Sequence, residues 1–549
     1  MKASDLFVKC LEAEGVERIY GVPGEENADF MKSLEASSIE FILTRHEQGA
    51  AFMASVYGRL TGKVGVCLGT LGPGATNLIT GVADGNMDRA PLLVITGQGA
   101  LTRQHKESHQ VMNVVEMYRP VTKWNCAVNH PDNIPEIVHK AIKLAVTEKP
   151  GACHIELAED VAAMDTDAVV LRLSRVRRPV PDDMIIDEVW DRLRSAKSPL
   201  IIAGNGAIRT RASRELRALC DATGIGALMT FMAKGALDLD DPQCLFTVGM
   251  GQRDFPQLAI DAADLVLTVG YDPVEYGPAK WNEKCDLDII HMDFDPAESD
   301  IHYQPIVEVI GDLAHGLGAL NKRIQRDGTP QYDLTAQKKL RQKMMDEFKQ
   351  YADDETKGSI RPQKAIADAR AVLGAHDILL SGVGAHKMWV ARHFQSHEPN
   401  TCLISNGFCS MGMPLPGAIA AKHADPSAKV LAILGDGDIM MNVQEMETAS
   451  RLGSDITLLV WEDKAYGLIA WKQEQDFGSH TDLSFNNPDW AQLCNAMGWH
   501  HQACDASVDL QDCLKTALDH EGPAMVVIPI DYRENMELTK RLGSIDQTF

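Results

Sequence analysis

A chain of 549 residues is too long for one hydrophobic core, so about two to four domains are expected. Hydrophobic residues make up 45% and charged residues 24%, the balance of an ordinary globular protein, and a net charge of −24 sets aside nucleic acid and anionic membranes as partners. The 12 cysteines include no Cys-x-x-Cys pair, which points to reduced thiols rather than a disulfide framework or a zinc site.

Ser4 and Asp5 are placed to cap a first helix, whose apolar residues are broken by Lys9 and Glu12, unlike a signal peptide. No apolar run approaches the ~18 residues of a membrane span, so a cytoplasmic protein is expected. Apolar runs follow at 64–68, 92–96, 200–203, 265–269, 378–381, 430–434, 456–461 and 524–528, separated by helix-length amphipathic stretches. Runs without polar alternation belong to strands buried on both faces, hence to mostly parallel sheets covered by helices. The expected class is α/β, with doubly wound domains.

Two breaks divide the chain. Residues 165–187, with Arg172, Arg175, Arg177, Arg178, Pro179 and Pro181, read as a linker. Residues 321–362 are rich in Lys, Gln, Asp and Glu, with a solvated helix expected over 336–351 whose charges form a wet face. The domains are therefore placed at 1–165, 188–320 and 358–549.

The strongest chemical signal lies in the last domain. The run 430–434 leads into Gly435-Asp436-Gly437-Asp438, and the run 456–461 ends at Glu462-Asp463. In a parallel sheet both strand ends lie on one edge, where ligands bind, so Asp436 and Asp463 can face each other. Two carboxylates at one point suit a hard cation such as Mg2+, and the glycines let backbone N–H groups approach a diphosphate. Alone, such a turn is weakly specific, as is the Gly204-Asn205-Gly206 turn as a dinucleotide signal.

Other segments add specificity. They are Arg45-His46-Glu47-Gln48-Gly49-Ala50-Ala51, the turn from Leu71 to Asn77, Gly382-Val383-Gly384-Ala385-His386-Lys387-Met388-Trp389, and Asn406-Gly407-Phe408-Cys409-Ser410-Met411-Gly412. With Gly270-Tyr271-Asp272-Pro273-Val274-Glu275-Tyr276 and Gly522-Pro523-Ala524, they resemble, in order and over nearly the whole chain, the thiamine-diphosphate-dependent acetolactate (acetohydroxyacid) synthases. The resemblance is to the large subunit, nearest the flavin-free catabolic type. It implies a pyrimidine-binding first domain, a Rossmann-like central domain and a diphosphate- and metal-binding last domain.

The resemblance also implies roles. Glu47 would sit on the cofactor's pyrimidine nitrogen and hold the proton shared there, and Gln110 would approach the substrate. Met411 would prop the bent cofactor and His386 would donate to a phosphate oxygen. Gly384, Ala385, Cys409, Gly435, Gly437, Asp438, Tyr466, Gly467 and Leu468 complete the implied cofactor contacts. Mg2+ would be held by Asp436, Asp463 and the backbone carbonyl of Ala465. Tyr271–Tyr276 stands where the flavin-binding branch carries a different, arginine-flanked stretch, which implies no FAD. A homodimer or homotetramer is implied, with Glu47 of one chain meeting Asp436 of another; a small regulatory subunit is compatible with the resemblance but not indicated.

The implied reaction decarboxylates pyruvate and joins the two-carbon unit to a second pyruvate, giving 2-acetolactate. Three departures keep an alternative open, a decarboxylase or carboligase of another 2-oxo acid such as 2-oxoglutarate. Glu462 replaces the usual Asn. Glu25 either relays protons at the reacting carbon, favouring simple decarboxylation, or faces solvent. Lys472 stands at the register of a Trp that favours 2-oxobutyrate in biosynthetic relatives, and could hold a second carboxylate.

Overall fold

The structure, a computed structural model, describes residues 1–173, 176–251, 254–354, 358–504 and 509–542. Arg175 of the expected linker and residues 543–549 of the expected last domain lie outside the described residues.

Eighteen described strands form three six-stranded sheets, and every paired strand runs parallel to its neighbour. The first sheet contains β1 (Arg18–Val22), β2 (Glu40–Leu43), β3 (Gly65–Gly69), β4 (Leu92–Gln98), β5 (Trp124–Val128) and β6 (Ala152–Ala158), in the order 2-1-3-4-6-5. The central sheet contains β7 (Pro199–Ala203), β8 (Ala227–Met229), β9 (Cys244–Thr247), β10 (Leu265–Val269), β11 (Asp288–Asp293) and β12 (Pro305–Ile310), in the order 12-11-10-7-8-9. That is the strand order of dinucleotide-binding folds. The last sheet contains β13 (Ile378–Ser381), β14 (Cys402–Ile404), β15 (Val430–Gly435), β16 (Ile456–Glu462), β17 (His500–Ala503) and β18 (Ala524–Pro529), in the order 14-13-15-16-18-17. It repeats the connectivity of the first sheet.

The first and last domains share one core. The helix Glu47–Thr61, rich in Ala and Gly, packs on the equally small-residue helix Pro414–Ala424, and Tyr20, Met53 and Val56 bury against Leu380, Ala418 and Leu434. Small residues let the helices approach closely: a Cβ on Gly417 would meet Val56 at 3.0 Å. The central domain is tied to the last by a buried ionic triad. Arg392, on the helix Ala385–His393, donates to both oxygens of Glu347 at 2.6 and 2.9 Å and to Asp254 at 2.7 Å.

Several expectations need correction. The first helix spans Ala3–Ala13 with Lys2 at its cap; Ser4 is buried inside it, and Ser4 and Asp5 both accept from the Ser33 hydroxyl. Part of the expected linker is helix, Asp183–Ser195, whose Ile186, Val189, Trp190 and Leu193 join the central core. The charged stretch after 320 holds the end of the helix Leu313–Asp327 and then the helix Thr335–Lys349. The latter is not wholly wet: Leu340 and Met344 enter the core, and Glu347 binds Arg392. None of the twelve cysteines forms a disulfide, and no described helix is long and apolar enough to cross a membrane.

Candidate active site

The carboxyl ends of β13, β15 and β16 open onto a cavity of about 260 Å3. Three turns build its wall. After β13, Gly384, Ala385 and His386 line it; after β15, Gly435, Asp436, Gly437 and Asp438; after β16, Asp463, Ala465, Tyr466, Gly467 and Leu468. Cys409 and Met411 enter from the segment before the helix Pro414–Ala424. Every residue expected at the diphosphate end is thus gathered around one space. Val383, Ile469 and Tyr532 also line it, although none was among the expected site residues.

The glycines are there for contact. A Cβ on Gly467 would fall 2.3 Å from Asp463 Oδ2, and one on Gly435 would fall 3.2 Å from the His386 ring. Asp436 accepts at Oδ1 from Gly437 N–H at 2.9 Å, and at Oδ2 from Lys464 N–H and Asn487 Nδ2, both at 2.7 Å. Lys464 achieves this in the left-handed region, at φ 58°. Burial and the neighbouring Asp436 carboxylate push the Asp463 carboxyl up. Two carboxylates that repel each other in a buried wall, beside backbone free to approach an anion, are a donor set suited to a divalent cation bridging a diphosphate. His386 Nε2 and Asp438 Oδ2 are also buried, 3.3 Å apart and without hydrogen-bond partners. Residue types and unsatisfied atoms therefore both fit the implied group.

Three carboxylates anchor the Met411 segment. Asp438 Oδ1 accepts from Gly412 N–H at 2.5 Å, with Gly412 at φ +91°. Asp88 of the first domain accepts from Gly407 N–H at 2.7 Å, while Asp84 accepts from the Ser410 N–H at 3.3 Å. Lys387, fully buried, donates to Cys409 Sγ at 2.9 Å.

Glu47 and Gln110 do not line this cavity. They lie at the corresponding edge of the first sheet, around the turn after β3. Glu47 is buried at the start of its helix and accepts from Asn77 Nδ2 at 3.0 Å. It does not pair with Arg45, whose backbone N–H goes to Glu445. A Cβ on Gly74 would lie 3.3 Å from Glu47 Oε1, and one on Gly72 would lie 2.9 Å from Gln110 Cβ. Exposed Gln110 has φ 58°. The Glu26 carboxylate in the loop after β1 accepts from Thr70 at 3.1 Å, whereas Glu25 is exposed.

The departures resolve unequally. Glu462 turns away from the cavity: its Oε1 accepts from Asn487 Nδ2 at 2.8 Å and from Trp490 Nε1 at 3.0 Å. Lys472 is half-exposed, pairs with Asp476 at 3.3 Å and is not in the wall, while Trp471 is buried and donates to Thr539 at 2.7 Å. In the central domain, Glu275 takes the Asn205 N–H at 2.9 Å, and a Cβ on Gly204 or Gly206 would strike the Gly270 backbone at 2.5 Å. The glycines of that turn serve internal packing, and its N–H group is already taken by an acid of the same chain.

Two parallel domains of equal connectivity, with an acid-paired diphosphate cradle on one and a buried glutamate at the matching edge of the other, define a thiamine-dependent α/β enzyme. The comparisons agree. Residues 1–117 match the N-terminal TPP binding domain of thiamine pyrophosphate enzymes, residues 186–320 their central domain, and residues 382–528 their C-terminal TPP binding domain. The acetolactate synthase of Bacillus subtilis is 32% identical over 100% of this chain and 97% of its own length. The catabolic acetolactate synthase of Raoultella terrigena is 33% identical over 98% and 97%. The chloroplastic enzyme of Arabidopsis thaliana is 30% identical over 97% of this chain and 82% of its own. The chain belongs to the acetolactate synthase family of thiamine pyrophosphate enzymes.

Proposed function

We propose that this chain is an acetolactate synthase, which converts two pyruvates into 2-acetolactate and CO2. The observation that carries this reading is the split site: a carboxylate-lined cradle at the edge of the last sheet, and Glu47 at the matching edge of the first. Thiamine diphosphate, held here, would supply the nucleophilic and electron-accepting chemistry that decarboxylation of a 2-oxo acid requires.

The chain's own residues do the rest. Asp436, Asp463 and the Ala465 carbonyl would hold Mg2+, which joins them to the diphosphate. His386 and the backbone around Gly435 and Gly437 would bind its oxygens, with Gly384, Ala385, Asp438, Gly467 and Leu468 closing the cradle. Cys409, Met411 and Tyr466 would pack against the body of the cofactor, with Met411 under its bend. Glu47 would keep a proton on the pyrimidine nitrogen, held in place by Asn77. Gln110 would orient the second 2-oxo acid, and the apolar part of the wall would exclude water so that carbon rather than a proton is added.

Glu47 and the cradle belong to separate edges, which supports a homodimer, alone or paired into a tetramer, with each site shared between two chains. The Glu275 carboxylate on the Asn205 N–H supports a central domain without FAD. A cytoplasmic location fits a small 2-oxo acid substrate.

The test is direct. The purified protein, with thiamine diphosphate and Mg2+, is incubated with pyruvate, 2-oxobutyrate and 2-oxoglutarate, and products are identified by NMR. Acetolactate from pyruvate is expected; an aldehyde or semialdehyde as sole product overturns the assignment. Lys472→Ala should leave pyruvate turnover within about twofold, because Lys472 lies outside the wall and its ion pair is exposed.

A further inference from the structure

A second cavity, of about 310 Å3, lies between the first and central domains, well away from the cradle turns. Its size falls at the lower end of the ~300–1,000 Å3 usual for small-ligand sites. In a chain of net charge −24 its wall is basic: Arg59, Arg89, Arg178, Arg209 and Arg211 line it, against only Asp88 and Glu148.

Four of these arginines are held by acids, two of them by acids outside the wall. Arg59 binds Asp88 at 3.2 Å, Arg89 binds Asp272 at 2.9 Å, Arg178 binds Asp312 at 3.3 Å and Arg209 binds Glu148 at 2.9 Å. Asp272 and Asp312 are not in the wall. A guanidinium has five N–H donors in a rigid fork, so one carboxylate fixes its position and leaves donors over. On Arg209 this is explicit: its Nε donates to Glu148, while Nη1 and Nη2 are buried without any hydrogen-bond partner. Leaving such donors buried and unpaired costs free energy that an anion in the cavity would offset.

Arg211 differs from the other four. Its side chain has no hydrogen bond or ion pair among the described residues, and its backbone is held in the left-handed region at φ 62°. Arg211 is exposed in the turn that ends the helix Asn205–Arg209, so all of its guanidinium donors are open to a ligand. It reaches across the domain boundary, with Nη2 3.8 Å from where a Cβ on Gly62 would lie. Arg211 also stands at the junction with an adjoining groove of about 450 Å3, to which Arg214 and Arg217 contribute.

We propose that this inter-domain cavity is a binding site for a phosphate-chain anion, either free diphosphate or the diphosphate of a nucleotide, with Arg211 as the residue that closes on it. Recognition rests on forked donors preset around a void, the geometry that suits several phosphate oxygens at once. The site is built from both domains, so an occupied cavity would clamp the C-terminal end of the helix that begins at Glu47 to the central domain. The assignment does not depend on which 2-oxo acid the enzyme uses.

The experiment is calorimetric titration of the holoenzyme, saturated with thiamine diphosphate and with Mg2+ matched in both solutions. Inorganic pyrophosphate is the probe in one arm and ADP in the other. Saturable binding of one equivalent per chain is expected. Arg211→Gly, which removes the charge and also relieves the left-handed backbone, should keep the fold and weaken binding about tenfold or more. Lys472→Ala, which removes a cation outside both cavities, should leave this binding unchanged. Tighter binding of pyrophosphate identifies a free diphosphate ligand, and tighter binding of ADP a nucleotide. Failure of both probes to saturate, equal affinity in Arg211→Gly and wild type, or loss of binding in Lys472→Ala overturns the proposal.

Discussion

The side-chain amide of Asn487 bridges two acids: it donates to Asp436 Oδ2 at 2.7 Å and to Glu462 Oε1 at 2.8 Å. Glu462 is in turn held by the indole of Trp490. The network aims Asp436 while leaving its other oxygen beside the cavity. Groups that orient a metal ligand, the role proposed for Asp436, usually carry about 10–100-fold of metal affinity. Asn487→Ala should therefore raise the Mg2+ concentration for half-maximal cofactor binding by that order, read by calorimetry on the apo protein. Glu462→Gln keeps an acceptor for both donors and should shift it by less. An unchanged requirement in Asn487→Ala would remove the orienting role.

Glu47→Gln separates binding from chemistry. Glutamine still offers an oxygen to Asn77, so the start of the helix should stand and cofactor affinity should change little. What is lost is the carboxyl proposed to hold the ring proton. Proton transfer by a positioned side chain contributes about 10²–10⁴-fold, and kcat should fall by that order. Normal turnover in the variant would exclude the role.

How far the sequence reveals this fold depends on where a strand sits. The eight apolar runs correspond to β3, β4, β7, β10, β13, β15, β16 and β18, all interior strands with both faces covered. Edge strands have partly exposed residues: β17 (His500-His501-Gln502-Ala503) is mostly polar, and β2 (Glu40-Phe41-Ile42-Leu43) holds only three apolar residues after Glu40, so no run marks either. Interior β6 and β11 escape for another reason: His154 and Glu156 interrupt one and His291 the other, all of them buried. The cradle was legible because its residues follow strand ends at fixed offsets. Asn487 was not, since it reaches Asp436 from a loop far along the chain and no spacing rule connects them. The left-handed Lys464 was equally silent, because nothing in a lysine announces positive φ.

Arg392 offers a test of how the cradle is held. It sits at the far end of the helix whose first residues, Ala385 and His386, line the cavity, and its guanidinium is buried between Glu347 and Asp254. Arg392→Met leaves two buried carboxylates without their cation, which costs about 3–5 kcal/mol. Urea unfolding should show that loss, and cofactor affinity should fall with it as the helix loosens. Replacing Glu347 and Asp254 with Gln and Asn in the same variant should recover much of the stability. Failure to recover would mean that the guanidinium acts by packing rather than by charge.

His154 sets one part of the acid response. It is fully buried in β6, stacked on Tyr118 at 4.1 Å between centroids, and its Nε2 faces the Thr96 hydroxyl at 2.8 Å. Burial lowers its pKa from 6.5 to about 3. Between these values the unfolded chain carries the proton and the folded chain does not, so this group's contribution to stability falls as pH falls from 6.5 towards 3. Well below pH 6.5 the slope reaches about 1.4 kcal/mol per pH unit. Glu156 and Glu275 oppose it: burial raises each to about 7, so their contributions fall as pH rises from 4.5 to 7. The net curve therefore conceals His154, and a difference measurement is needed. His154→Leu should unfold more easily at pH 7, since the Thr96 hydroxyl loses its partner. Its urea midpoint should nevertheless decline less steeply than that of the wild type between pH 6.5 and 5. Parallel curves for the two proteins would show that His154 is protonated in the folded state despite its burial.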